Sequence, residues 1–201
     1  SITAAKIASG LQLGTIDAQN NTVLGSQAGD SFSGTDANNN TLVGYQAGTA
    51  ITTADSNVAF GTYSFLSNET GGDNSALGYR SLDANTTGTN NTAVGSNSLG
   101  GNTTGGQNSA VGHRSLNANT TGDQNTALGA DSMYTNTTGE YNVGLGFMAL
   151  YTNNASNNTA VGYQALLLNT TGTQNVAVGT NALDANTTGG NNVAVGQGAL
   201  S

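Results

Sequence analysis

The chain has 201 residues, of which 7% are charged and 35% hydrophobic, with no Trp, Pro or Cys; that is not the profile of an ordinary globular enzyme. Three basic residues (Lys6, Arg80, Arg114) against eleven acidic ones give a net charge of −8, so no basic stripe exists to meet a phosphate backbone and no nucleic-acid partner is expected. No apolar run has the length of a membrane span, and no charged segment leading into an apolar core opens the sequence, so neither membrane insertion nor a signal peptide is expected within it.

Residues 1–19, with Ile2, Ile7, Leu11 and Leu13, show no period. They are expected to form an N-terminal cap or a junction, because a stacked repeat needs an atypical end over its open core. Residues 20–201 carry one pattern throughout: Asn, then Thr, Ser or Val, then usually Ala, then Val, Leu or Phe, then Gly. The glycines are Gly25, Gly44, Gly61, Gly78, Gly95, Gly112, Gly129, Gly146, Gly162, Gly179 and Gly196, most of them 17 residues apart, and four residues before each stands an asparagine. Abundant Asn, Thr and Gly would by themselves suggest disorder. The period overturns that reading.

Within a unit, Thr92 and Val94 alternate with Asn91 and Ala93, which predicts a short strand with Val94 and its equivalents facing inward, joined there by Leu99. Ala93 and its equivalents then face outward, small enough to allow close approach of a neighbouring chain. Gly95 marks a bend, and runs such as Asn85 to Gly88, Asn102 to Gly105 and Asn186 to Gly189 read as return turns ending in a glycine, a residue free to take positive φ. A 17-residue unit with about three aliphatic side chains buries no core alone, so units must stack. At ~4.8 Å per coil, eleven units make a rod roughly 50 Å long. Identical residues then form ladders, and stacked asparagines bonding from coil to coil explain their recurrence without catalysis. The longer interval around Ser31 to Asn38 and the shorter turn at Asn153 to Ser156 are expected to be local loop variants. The last unit, Asn192 to Leu200, is an ordinary repeat, which implies an open edge that the natural protein covers by continuing or by processing.

Certain strings carry a resemblance. NNTAVG at 90–95 followed by Ser98, NNVAVG at 191–196 and SNVAFG at 56–61 resemble the YadA-like head repeats of trimeric autotransporter adhesins, although the unit here is longer. NNTAVGYQAL at 157–166, with the Asn-Thr-Thr-Gly turns, is similar still more closely to repeats of phage tail-fibre proteins, often followed by an intramolecular chaperone domain that is absent here. The resemblance implies an all-β, repetitive β-solenoid, a left-handed parallel β-roll of 17-residue coils, with three identical chains about one axis.

Candidate chemistry is sparse. The one histidine, His113, sits in a register held elsewhere by Ser, Thr, Ala, Gln or Tyr, and reads as a surface residue rather than a base beside a nucleophile. Acidic residues fall in different registers, without a calcium-loop pattern. No catalytic residue, cofactor or metal is expected. The aromatic residues Tyr134, Phe147, Met148 (as their apolar neighbour), Tyr151 and Tyr163 gather in successive units, and are the candidate patch for a host glycan or protein receptor, or else rings that pack on one another.

The sequence is therefore read as a non-enzymatic structural segment: a self-associating rigid rod of a phage tail fibre used in host attachment, or of a cell-surface appendage, located on a virion or outside the cell. The rivals are a bacterial trimeric autotransporter adhesin head and, from the threonines of the turns, an ice-binding β-solenoid.

Overall fold

A computed structural model describes residues 15–32 and 36–201. Most of the segment expected to be a cap, and Ser33 to Thr35 of the longer interval, lie outside the described residues. The strands are β1 (Thr15–Ile16), β2 (Thr22–Leu24), β3 (Thr41–Val43), β4 (Val58–Phe60), β5 (Ser75–Leu77), β6 (Thr92–Val94), β7 (Ser109–Val111), β8 (Thr126–Leu128), β9 (Val143–Leu145), β10 (Thr159–Val161), β11 (Val176–Val178) and β12 (Val193–Val195). They form one 12-stranded sheet in chain order. From β2 to β12 each strand pairs parallel with the next and equivalent residues face each other, as Thr92, Ala93 and Val94 face Ser109, Ala110 and Val111. The molecule is a parallel β-solenoid of about ten coils, with no helix among the described residues.

The strand faces are the reverse of the sequence expectation. Ala59, Ala76, Ala93, Ala110, Ala160 and Ala177 are fully buried, whereas Phe60 is 57% exposed and Leu128 50%. Alternation fixes two faces but not which one is inside, and here asparagine decides: Asn91 and its equivalents are buried, so Ala93, two residues on, shares the inner face. The coil is narrow. Its interior is filled by the Asn column, the alanines, a Ser or Ala column (Ser98, Ser115, Ala165) and the large column of Phe65, Leu82, Leu99, Leu116, Met133, Leu150 and Leu166. Leu99 is therefore inside as expected. Volume is conserved between columns: where Met133 replaces Leu, β9 carries Gly144, whose added Cβ would lie 2.7 Å from Ser132 Oγ and 3.1 Å from Met133 Cε. Where Gly48 leaves the Leu position empty, Leu42 and Ile51 fill the space from the strand and the turn.

Coils close through left-handed backbone at unusual residues. In one unit Asn90, Asn97 and Leu99 have φ of 58°, 56° and 50°, a conformation costing roughly 1–2 kcal/mol for each L-residue. Bonds to both neighbouring coils hold it: Asn97 N–H donates to Tyr79 O at 2.9 Å and Leu99 N–H to Ser115 O at 3.0 Å. Gly95 bends the chain at φ 127°, where a Cβ would run into the carbonyl of Gly112. The glycines of the Asn-Thr-Thr-Gly turns, by contrast, are not at positive φ. Gly88 is needed for space, since a Cβ would overlap both Asn85 Oδ1 and Gly105 O.

Two asparagine ladders run through the interior, one along the strands from Asn21 to Asn192 and one along the turns from Asn68 to Asn186. In the strand ladder, Asn108 Oδ1 accepts the backbone N–H of Asn125 at 2.9 Å and its Nδ2 at 3.2 Å, while Asn108 Nδ2 crosses the coil to Gly122 O at 2.8 Å. In the turn ladder, Asn102 Nδ2 donates to Asn85 Oδ1 at 2.8 Å and to Gly105 O at 2.9 Å. The shortened coil breaks the second ladder once. Asn153 Nδ2 reaches only Ala155 O, so Asn136 Oδ1 is the buried side-chain polar atom left without a partner among the described residues. Asn154 compensates in part, its Oδ1 accepting the N–H groups of Thr137 at 2.9 Å and Thr138 at 3.0 Å, where other coils use the carbonyl of a threonine.

The reversed faces make a paired prediction. Ala110→Val overpacks the interior and lowers unfolding stability by about 1–3 kcal/mol, whereas Val111→Thr stays within about 0.5 kcal/mol for the single chain; denaturant unfolding distinguishes the two.

Candidate interaction surface

Most of the exposed surface of the described coils is made of columns of equivalent residues. The last strand position carries Leu24, Val43, Phe60, Leu77, Val94, Val111, Leu128, Leu145, Val161, Val178 and Val195, every one apolar, each half-buried or exposed. No other part of the described chain covers this column, which runs about 48 Å at one strand spacing per coil. Exposed apolar strips of such extent on soluble proteins mark contact surfaces.

Around the corner made by the turn glycines lie the aromatic columns. Tyr134 stacks on Tyr151, with centroids 5.4 Å apart and planes at 11°. Phe147 stacks on Tyr163, at 5.6 Å and 18°. Met148, the remaining patch residue, accepts a long contact from Gln164 Nε2 at 3.8 Å. The expected patch is thus two separate stacks in different columns. The faces of Tyr134 are already occupied, by Tyr151 on one side and by the Arg114 guanidinium, 5.0 Å from the ring centroid, lying over the ring. Arg114 is fixed by Asp131, donating from Nε at 2.8 Å and from Nη2 at 3.1 Å. Those hydrogen bonds, with the charge attraction behind them, hold the guanidinium's pKa above its ordinary value.

The sequence reading missed a third aromatic group. Tyr63 stands between Tyr45 and Tyr79, edge-on to each at 5.4 and 6.1 Å, and Arg80 lies 5.6 Å from the rings of both Tyr63 and Tyr79. The signal was present: Tyr45 and Tyr79 each follow a turn glycine directly, and Tyr63 follows Gly61 by two in the coil between them. Beside Arg80, burial raises the pKa of Asp83, and the arginine's charge offsets this only in part. Tyr141, at 53% exposure, stands in a different column.

At the N-terminal end, β1 runs antiparallel to β2, and Asp17 takes the place of a preceding ladder asparagine. Its Oδ1 accepts the Asn21 N–H at 2.9 Å and its Oδ2 accepts Asn21 Nδ2 at 3.0 Å, with Gln19 N–H adding a third bond to Oδ1 at 3.0 Å. Burial pushes the carboxyl's pKa up, but these hydrogen bonds outweigh it and hold the group below its ordinary range.

His113 is exposed and stands in the column immediately after the turn glycines. Among the described residues no group of three or more His, Asp or Glu side chains converges on a point, and no helix is long and apolar enough to cross a membrane. Comparison of the chain with protein-family models, with curated proteins and with solved structures finds no match.

Because Asp17's pKa is lowered in the folded state, its contribution is complete above the unfolded-state value near 3.8 and is lost as pH falls through the lower folded value. Protection of the Asn21 and Gln19 amides, corrected for intrinsic exchange, is therefore expected to be flat above about pH 5 and to fall below about pH 4. Asp17→Asn removes this pH dependence and lowers the protection at neutral pH, since its amide nitrogen faces the Asn21 donor.

Proposed function

We propose that this chain is a structural segment of an extracellular or virion fibre, a rigid rod that associates with copies of itself and serves attachment rather than catalysis. The observation that carries this reading is the apolar column from Leu24 to Val195. A position left half-buried or exposed on the single chain in every coil, yet never polar, fits a partner that repeats with the same spacing. Another copy of the chain has that spacing by construction, and closed symmetric assemblies of identical chains are the common outcome of such faces. Three copies and a left-handed path are what the sequence resemblance implies, and a host glycan or protein receptor is the expected target of the lateral surface.

Ice binding is the second reading, favoured by one feature. Thr70, Thr87, Thr104, Thr121 and Thr138 form an exposed row with one residue per coil. Against it, the adjoining row spends hydroxyls on the neighbouring coil, Thr103 Oγ1 donating to Thr120 O at 2.9 Å and Thr120 Oγ1 to Thr137 O at 3.0 Å.

Light scattering on the purified chain separates these readings. A stable species near three times 19.9 kDa, reduced to a smaller mass by Leu77→Asp with Val111→Asp, is the expected result. A compact monomer showing thermal hysteresis contradicts the fibre reading and supports the second one.

A further inference from the structure

The column that follows the turn glycines reads Tyr45, Thr62, Tyr79, Ser96, His113, Ala130, Phe147, Tyr163 and Thr180. Its register is fixed by backbone bonds: Asp131 N–H donates to His113 O at 3.0 Å, Met148 N–H to Ala130 O at 3.2 Å and Gln164 N–H to Phe147 O at 2.9 Å. Residues two coils apart in this column are separated by about 9.6 Å, twice one strand spacing. When the residue between them is small, their side chains wall a slot with room for one ring, because ring contacts start at centroid separations of about 4.5 Å.

The chain fills one such slot itself. Between Tyr45 and Tyr79, above Thr62, stands the ring of Tyr63, which comes from the next position of the same coil. The second slot lies between His113 and Phe147, above Ala130. There the residue equivalent to Tyr63 is Asp131, which is drawn to Arg114 by two hydrogen bonds and is only 6% exposed. Phe147 has one face on Tyr163, nearly parallel, so its other face looks along the column toward Ala130. Phe147 is 40% exposed, and His113 on the far wall is exposed as well.

The geometry points to a binding slot for a neutral pyranose ring at His113, Ala130 and Phe147, with the Arg114–Asp131 pair at its rim. This rests on the reading of the rod as an attachment element and moves the candidate patch away from Tyr134, whose two faces are occupied by Tyr151 and Arg114. The apolar faces of a sugar ring stack on the Phe147 ring, and its hydroxyls meet the imidazole and a donor in the Arg114 guanidinium, whose side chain is 41% exposed and is held in place by Asp131. An aromatic side chain would leave that ion pair unused. The net charge of −8 disfavours acidic sugars, so the hexose is uncharged.

His113 is the one histidine of the chain, so its imidazole Cε1–H proton signal reports on this slot alone. The assembled protein is titrated by NMR with glucose, galactose, mannose and N-acetylglucosamine in turn, and with phenol as the aromatic probe, for the native chain and for Ala130→Phe. The expected result is a saturable millimolar shift with at least one hexose, lost in Ala130→Phe, where the new ring itself moves the His113 signal upfield. No response to any hexose, while Ala130→Phe still produces the upfield shift, means that the slot exists but takes no sugar, and overturns the proposal. A response to phenol alone overturns it in favour of an aromatic partner group. An Ala130→Phe spectrum with the His113 signal unmoved shows that no slot exists. Light scattering on the same samples reports the assembly separately, so a silent slot on an assembled rod sinks only this proposal, and a responsive slot on a monomer sinks only the self-association.

Discussion

Hydrogen bonding between stacked asparagine side chains is the constraint on which the remainder of the fold depends. A chain with 35% hydrophobic residues, arranged in coils whose strand interiors hold alanine, buries too little apolar surface per coil to order it by that means alone. The strand ladder supplies what is missing. In most coils Oδ1 takes the backbone N–H of the next coil's asparagine, and Nδ2 crosses the interior to the turn carbonyl, as Asn91 does to Gly105 O at 2.8 Å. A satisfied bond contributes about 1 kcal/mol net, but a buried partner left alone costs about 1–3 kcal/mol. The ladder therefore acts less by adding stability at each rung than by penalising any coil that falls out of phase. The 16-residue interval obeys the same rule: Asn142 Nδ2 still reaches the turn carbonyl, now Ala155 O at 2.8 Å, and the lost residue comes from the outer turn, where Asn154 stands in for a backbone carbonyl.

Much of this was legible in the sequence because a period is legible. The repeating Asn and Gly located every strand from β2 to β12, the stacking direction and the coil-to-coil asparagine contacts, and Leu99 was correctly sent inside. The choice of strand face was not. A hydrophobicity argument places Val94 inside and treats Asn91 as surface, yet Asn91 belongs to the interior once a neighbour supplies its partners, and it brings Ala93 with it. The turn glycines misled for a related reason. Gly88 looks like a conformational requirement, but what demands it is the approach of the next coil, which no single unit reveals. The left-handed Leu99 was illegible too, since its strain is tolerated only because bonds to both neighbouring coils over-determine it.

The surface followed a similar division. Column arithmetic brings Tyr134 to Tyr151 and Phe147 to Tyr163, and both stacks are present. What spacing could not convey is occupancy: that Arg114 covers Tyr134, that Tyr63 fills the space between Tyr45 and Tyr79, and that Asp131 leaves the equivalent space above Ala130 empty of a ring. These depend on how side chains lean between columns. The rod thus presents several distinct long surfaces, an apolar one suited to identical neighbours and an aromatic one interrupted at defined coils, and the attachment reading uses both.

One rung of the strand ladder gives the decisive test, read by hydrogen exchange together with denaturant unfolding of Asn108→Ala. The substitution strands the Asn125 N–H in the interior, while the Gly122 carbonyl keeps its bond from Asn119 Nδ2. It is expected to cost about 1–3 kcal/mol and to strip protection from the amides of β6, β7 and β8 while the distant coils keep theirs. A change within about 0.5 kcal/mol, as for an ordinary surface substitution, with protection unchanged across those strands, would contradict the claim that the asparagine ladder holds the rod together.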